Sequence, residues 1–494
     1  MKINYLLFTA FFIFSGTVQS NPALIIHRGN GAEPDSLDIH QAQGINSQNI
    51  LMDMYEGLMT FDVNGKVTPG VTVAYKQSND GLQWTFDLNP LAKWSDGKPL
   101  VAEDFLTAWK LAIKPSTAAP YRHLFNNLMT NDQLNVMAAS AHQLVIKLNQ
   151  PDSSLLNKLV LPIFYPLPRN SADIKVSNGA FKLTQWRIHE FIVLEKNEHY
   201  YAAEEVEPQQ IHYWVSENQN SELLRFRAGE LDITETIPDH QIDWLKIHHP
   251  NELRISPYYG TFFLGLNLKD KHLSNQKLRK ALDAAIDRDI LVNKVLKSGQ
   301  LPAHQIIPTD TPSAQTRFDP IQAKHDLKAS GFNTTTEHLE ILYNNSNNQK
   351  KVALAVAAMW RQNLGIKTKL RNQEWKVFVN TRKGQQKQIF RSGWIADYYN
   401  PLDFLNLFQT QSHFNFYGFS DMLYDQTLYE LKQQNKDEQA ALIIKAESIL
   451  ANKLPVIPLY HYVSRHMVNI QISGFNDNLM DRHLSRYLSK RNGH

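Results

Sequence analysis

Along the 494 residues, the spacing of apolar side chains switches repeatedly between every second residue and every third or fourth, with no linker at the changes. Trp84, Phe86 and Leu88 alternate with polar residues, the period of a strand with one buried face. Soon afterwards Phe105, Ala108, Trp109, Ala112 and Ile113 take the spacing of one helix face. Leu278, Leu282, Ala285 and Ile286 repeat it, after a cap at Ser274 or Asn275 and before a stop at Gly299. Val352, Val356, Met359 and Leu364 form a third stripe, ended by Gly365. A fourth, Leu442, Ala446, Ile449 and Leu450, follows Asn435 and Glu438 at capping-box spacing. Ala23–His27 reads as a short buried strand. Interleaved periods of this kind predict an α/β chain, and these stripes are core positions without chemistry. A chain of this length with no Gly/Ser tract predicts lobes that share strands or exchange the chain several times.

Charge and cysteine usage narrow the function. A formal net charge of +3 gives no basic field for nucleic acid. The absence of cysteine excludes disulfides, thiolate metal sites and a thiol nucleophile, and also a lipid-bearing cysteine anchor. Met1-Lys2 followed by the apolar run Tyr5–Phe14, a break at Ser15-Gly16 and small residues up to Ser20 reads as a cleaved leader, residues 1–20. The run is too short to span a bilayer, which needs about 20 residues. The expectation is an exported, soluble, periplasmic monomer.

No assembled catalytic group is visible. The sequence lacks a Gly-x-Ser-x-Gly elbow, a phosphate loop and a His-Glu-x-x-His pair. Gly29-Asn30-Gly31 reads as a turn, Glu204-Glu205 as a solvated face and His248-His249 as divergent neighbours. The nineteen histidines show no tight cluster with aspartate, so neither a metal site nor a cofactor is expected, and the chain does not read as an enzyme. The interleaving of Arg391, Trp394, Asp397, Tyr398 and Tyr399, with Trp375 and Arg382 ahead of them, is more telling. Aromatic walls with one fixed cation and one fixed anion suit an extended zwitterion such as a peptide. The same residues also suit a core tryptophan beside a local Arg391–Asp397 ion pair, and both readings stand at this point.

Further blocks carry a family resemblance. They are Leu51-Met-Asp-Met-Tyr-Glu-Gly-Leu58, Trp84-Thr-Phe86, Ala92-Lys-Trp-Ser-Asp-Gly97, Glu103-Asp-Phe105, Ser177-Asn-Gly-Ala-Phe-Lys-Leu183, Arg227-Ala-Gly-Glu-Leu-Asp232, Leu342-Tyr-Asn-Asn-Ser346, Asn372-Gln-Glu-Trp375 and Gly393-Trp-Ile-Ala-Asp-Tyr398. In order and spacing, from about Gly31 to the C-terminus, the chain resembles the periplasmic oligopeptide-binding proteins of ABC importers, whose wider family also takes dipeptides, nickel and murein peptides. The resemblance implies a two-lobed periplasmic-binding-protein fold of the three-domain, type II variety that closes by a hinge. It divides the chain into one lobe of residues 21–55, 168–258 and 465–494, an additional domain 56–167, and a second lobe 259–464.

It also implies roles. Asp397 would pair with the ligand's ammonium, Arg391 would receive a short ligand's carboxylate, and the backbone around Gly393 and Ile395 would pair with the ligand as an added strand. Trp375, Arg382, Trp394, Tyr258, Tyr121 and Tyr462 would line the cleft. The partners implied are short peptides with a free amine and an inner-membrane ABC permease. The alternatives are a murein-peptide binder and a metal-chelate or haem binder on the same scaffold. Departures from the family pattern are Gln349 in place of a cleft histidine, Gly265 and Gln43 in place of acidic cleft residues, and Gly260 and Ile395 in place of a disulfide pair. They imply a weaker preference for Lys-rich peptides and an altered ligand length.

Overall fold

The computed structural model describes residues 23–169, 173–308, 317–434 and 436–491; the expected leader, residues 1–20, and the expected capping residue Asn435 lie outside them. Ile25–Gly29, Gln210–Trp214, Phe191–Lys196 and Phe181–Arg187 lie side by side in a four-stranded sheet, the first pair parallel and the others antiparallel. A second, antiparallel sheet has the order Thr72–Gln77, Gln83–Leu88, Gln143–Lys147, Val136–Ser140. A six-stranded sheet runs Leu301–Pro302, Val456–Met467, Leu253–Leu266, Ile389–Ile395, His338–Asn344, Lys367–Gln373.

The helical stripes bury as their spacing requires. Phe105, Ala108, Trp109, Ala112 and Ile113 are all buried on helix Ala102–Ile113. Helix Asn347–Leu364 buries Val352, Val356 and Leu364 and stops where Gly365 takes φ 72°, a backbone state that favours glycine. Helix Lys436–Lys453 buries Ala446 and Leu450. Two boundaries differ from expectation. Helix Gln276–Ala284 is capped by Asn275, whose side chain accepts from Lys277 and Leu278 N, but it ends at Ala285 and does not run on to Gly299. Asp287 caps a new segment there by accepting from Ile290 N. The first strand begins at Ile25, the first residue that pairs with Gln210–Trp214.

The sequence blocks meet in space, which gives each a structural reason. Trp94 Nε1 donates to Asp104 Oδ2 at 3.1 Å, joining the Trp-Ser-Asp-Gly turn to the helix that opens with Glu103-Asp-Phe105. Asn178 Nδ2 donates to Glu56 O at 2.8 Å, and Glu56 N to Asn178 Oδ1 at 3.2 Å. Next to it, a Cβ on Gly179 would stand 2.6–2.7 Å from the backbone of Met54 and Tyr55.

The apolar core falls into separate bodies. One body joins Ile26, Leu58, Phe86, Trp109, Phe164, Phe181, Tyr213 and Leu488. A second and a third line the two faces of the six-stranded sheet, with Phe262, Leu282, Ile341 and Trp360 on one and Phe263, Phe390, Phe404 and Tyr424 on the other. A fourth gathers Leu223, Phe226, Ile242, Leu245 and Met467.

Strands Leu253–Leu266 and Val456–Met467 pair antiparallel from Leu253↔Met467 to Gly265↔Val456 and link these bodies. Leu253 and Met467, at one end, pack in the fourth body, and Leu264 and Ile457, at the other, in the second. Their register breaks between Pro257 and Thr261, so Tyr258, Tyr259 and Gly260 form a bulge, and it shifts again between Phe262 and Phe263.

Gly265 lies inside this sheet, where a Cβ would meet the Phe390 ring at 2.4–2.9 Å, so a side chain here would require that ring to move.

Candidate functional site

Strand Ile389–Ile395 organises the candidate site. One edge is paired with Leu253–Leu266 from Leu266↔Ile389 to Gly260↔Ile395. On the other edge, His338–Asn344 pairs only at Ile341↔Ile389 and Leu342↔Phe390. Among the described residues no strand covers that edge from Arg391 to Ile395, so alternate N–H and C=O groups there are free to take an added strand. Gly260 and Ile395, the positions of the missing disulfide pair, stand directly opposite each other.

Pleating divides the side chains. Phe390 joins the third core body, and Trp394 packs partly buried against it, Nε1 donating to Asp403 Oδ2 at 2.6 Å and ring edge-on to Phe414 at 5.1 Å. Arg391, Gly393 and Ile395 share the opposite face, two residues apart. Trp394 is therefore in part the core residue of the blander reading. No Arg391–Asp397 ion pair supports the rest of that reading: the charge acting on Asp397 is that of Arg482.

At the Arg391 end, the guanidinium carbon stands 5.7 Å from the Phe262 ring and 5.8 Å from the Trp375 ring. The charge of Arg391 acts on the Tyr462 phenol, whose hydroxyl lies 2.7 Å from where a Gly393 Cβ would be. Arg382 sits over Phe416 at 4.9 Å, and burial loosens its hold on its proton, aided by the charge of Arg391. Nε of both arginines is buried without a partner, as is Gln349 Oε1. This end is a cationic pocket with aromatic walls and unspent donors. Trp375 is half exposed.

At the other end, Asp397 N donates to Asp403 Oδ2 at 3.1 Å. Burial pushes both carboxyls above their ordinary range; the charge of Arg482 partly offsets this at Asp397, and the charge of Asp397 adds to it at Asp403. Asp397 also acts on the phenols of Tyr121 and Tyr258, which burial holds protonated. Tyr121 donates to Gln43 O at 3.5 Å, so Gln43 lies at this end through its backbone. The lobes meet here as well. Tyr398 packs into the first core body, Asn157 Nδ2 donates to Tyr399 O at 2.9 Å, and Lys158 sits over the Tyr398 ring at 5.5 Å.

The ten expected residues thus fall into two groups about this strand. Arg391, Gly393, Tyr462, Trp375 and Arg382 stand at one end, and Trp394, Asp397, Tyr258 and Tyr121 at the other. Ile395, half exposed, belongs with the second group, between Trp394 and Asp397 in the chain. Asp403, Phe262 and Arg482 were not foreseen. Asn400-Pro401 signals a helix start that carries Asp403 in its first turn, but its bond to Trp394 is tertiary. A separate crevice of about 1250 Å³ opens beside Tyr399, Asn400 and Pro401, lined also by Trp84, Asn157, Lys432 and Met480.

The sequence reading found no tight His/Asp cluster, and here the structure differs. His466 and His483 Nε2 reach the same Asp481 oxygen at 2.8 and 2.9 Å, because the strand end and the last loop fold together. His466 Nδ1 is engaged with Thr234 O at 2.9 Å. The Asp481 charge raises His466 to about 9 despite burial, and His466 holds Asp481 far below the carboxylate range. The arrangement is an imidazolium–carboxylate pair with a second imidazole bonded to it.

Two α/β lobes joined by paired long strands, with a partly open-edged strand within the six-stranded sheet, define a two-lobed solute-binding protein. The family model for bacterial extracellular solute-binding proteins, family 5, matches residues 66–416, and the chain belongs to that family. It is 34% identical to the periplasmic oligopeptide-binding protein OppA of Salmonella typhimurium over 91% of this chain and 89% of that one. To the periplasmic murein peptide-binding protein MppA of Escherichia coli it is 30% identical, over 93% and 92%. The crystal structure of Haemophilus influenzae OppA in complex with RPPGFSPFR superposes with a TM-score of 0.79 at 31% identity, covering 95% of this chain and 99% of that one. Among the described residues, no helix is long and apolar enough to cross a membrane.

Proposed function

We propose that this protein captures short peptides in the periplasm and hands them to an ABC permease, acting as a carrier and not as an enzyme. The observation that carries the reading is the strand Ile389–Ile395, open along one edge, with unspent arginine donors at one end and a buried carboxylate just beyond the other. A peptide added to that edge would satisfy its own backbone independently of sequence. Its ammonium would pair with Asp397, and a short peptide's carboxylate would meet Arg391 and Arg382. Strand geometry sets about 13 Å between the α-carbons of Arg391 and Ile395, with Asp397 two residues further on, and the long arginine arm shortens the gap. Murein peptides with the same end charges fit the same description.

Isothermal titration with alanine peptides of two to five residues, with free or acetylated N-termini, tests the proposal. The free series should bind, with one preferred length, and acetylation should abolish binding. Failure of every free peptide to bind, or equal binding of the acetylated ones, would overturn it. Native mass spectrometry of the protein as purified should show a retained peptide mass that disappears on unfolding.

A further inference from the structure

Arg482 is a buried cation whose donors are mostly unspent. It is 6% exposed, and its guanidinium makes one hydrogen bond, from Nη2 to Gln48 Oε1 at 2.8 Å. Nε and Nη1 are buried without partners. A charged group left so is expensive unless something else completes it. The adjacent carboxylate, Asp481, does not, because its bonds go to His466 and His483.

Its position is also fixed. Asn478 accepts from Arg482 N at 3.1 Å and donates to Arg482 O at 3.0 Å. Tyr259 N donates to Leu479 O at 2.7 Å, and Ala396 N donates to Tyr259 O at 3.0 Å. This run of bonds sets the Arg482 loop on one side of Tyr259 and Asp397 on the other. The two charges come from opposite lobes, and no ion pair is formed between them among the described residues. Tyr121 and Tyr258 lie in the field of both.

We propose that Arg482 is a specificity-determining residue that receives an anionic group carried next to the ligand's free ammonium, so that the site favours peptides with Asp or Glu at the first or second position. The inference rests on the peptide reading above. An ammonium brought to Asp397 also enters the field of Arg482, and a neutral peptide leaves those two cations facing each other. A carboxylate within one or two residues of the ammonium removes that repulsion and takes up the free Nε and Nη1 donors in a charge-assisted pair. Strand alternation turns the first and second side chains to opposite faces, so only one of the two positions should show the preference.

The test is titration of the intact protein with alanine peptides of the preferred length, unsubstituted or with Glu or Lys at position one or two. One Glu peptide should bind about tenfold or more tighter than the all-alanine peptide, and its Lys counterpart weaker. In Arg482→Gln the Glu-to-Ala ratio should fall to about one, and in Arg482→Lys most of it should survive. Equal affinity of wild type for Glu and Ala peptides would overturn the inference while leaving the peptide reading intact. A Glu preference unchanged in Arg482→Gln would also overturn it. The wild-type and Arg482→Lys arms decide the matter even if Arg482→Gln does not fold. If no peptide binds at all, the all-alanine one included, the peptide reading falls and takes this inference with it.

Discussion

Asp397 shows what a desolvated carboxyl does to the empty protein. Its affinity for protons is raised by burial, so the folded chain keeps the proton to higher pH than the unfolded chain does. Its contribution to stability is therefore full below the ordinary aspartate range and is lost as pH rises through the raised value. At neutral pH the ionised group burdens the empty protein. Asp397→Asn should leave the melting midpoint of the empty protein at pH 7 equal or higher, and the gap should close on acidification. The same substitution should cost about 3–5 kcal/mol of peptide binding, the consequence of leaving a buried ligand ammonium unpaired. Wild-type peptide affinity should fall as acid titrates the Asp397–Asp403 pair, above the usual carboxylate range, and titration calorimetry across pH should show no such slope in Asp397→Asn. The motif around Asp397 was legible because its charges and aromatics lie within a few residues of one another. Arg482 was not, because it arrives from the last segment of the chain and only the fold brings it near.

At the scale of elements, what was legible is what depends on local periodicity. Helices Ala102–Ile113 and Asn347–Leu364 stand where their stripes and their stops required. The helix after Asn275 ended early because Asp287 offered a competing cap, a choice between two adequate local signals. The glycine in Ser177-Asn178-Gly179 has a cause that sequence does not show. A Cβ there meets backbone atoms of Met54 and Tyr55, which cannot swing aside as a side-chain tip can. Gly179→Ala should destabilise the protein by about 1–3 kcal/mol in urea unfolding, the usual cost of overpacking.

At the scale of the molecule, the absence of linkers implied lobes that exchange the chain, but it gave no hint of how the last segment is held to the long strands. The imidazolium of His466, near the end of strand Val456–Met467, pairs with the largely covered Asp481 of the last segment. Asp481, held low, contributes stability above the ordinary aspartate value of 3.8 and loses it as pH falls. His466, raised, contributes fully below the ordinary histidine value of 6.5 and loses that stability as pH climbs through about 9. Denaturant unfolding across pH should show a mildly acidic plateau and a decline into alkali. Asp481→Asn should remove about 3–5 kcal/mol on the plateau and flatten the alkaline limb. An unchanged alkaline limb would assign it to other groups.

The bulge at Tyr258–Gly260 has a mechanical consequence. The ladder between the two long strands has no rung from Tyr258 to Gly260, so bending at those residues ruptures none. Tyr259, inside the bulge, is tied through its carbonyl to Ala396, the neighbour of Asp397, and through its amide to the Leu479 loop. Under the proposed function, those two bonds would carry a change of angle at the bulge to the segment beside Asp397, with no relay through the interior.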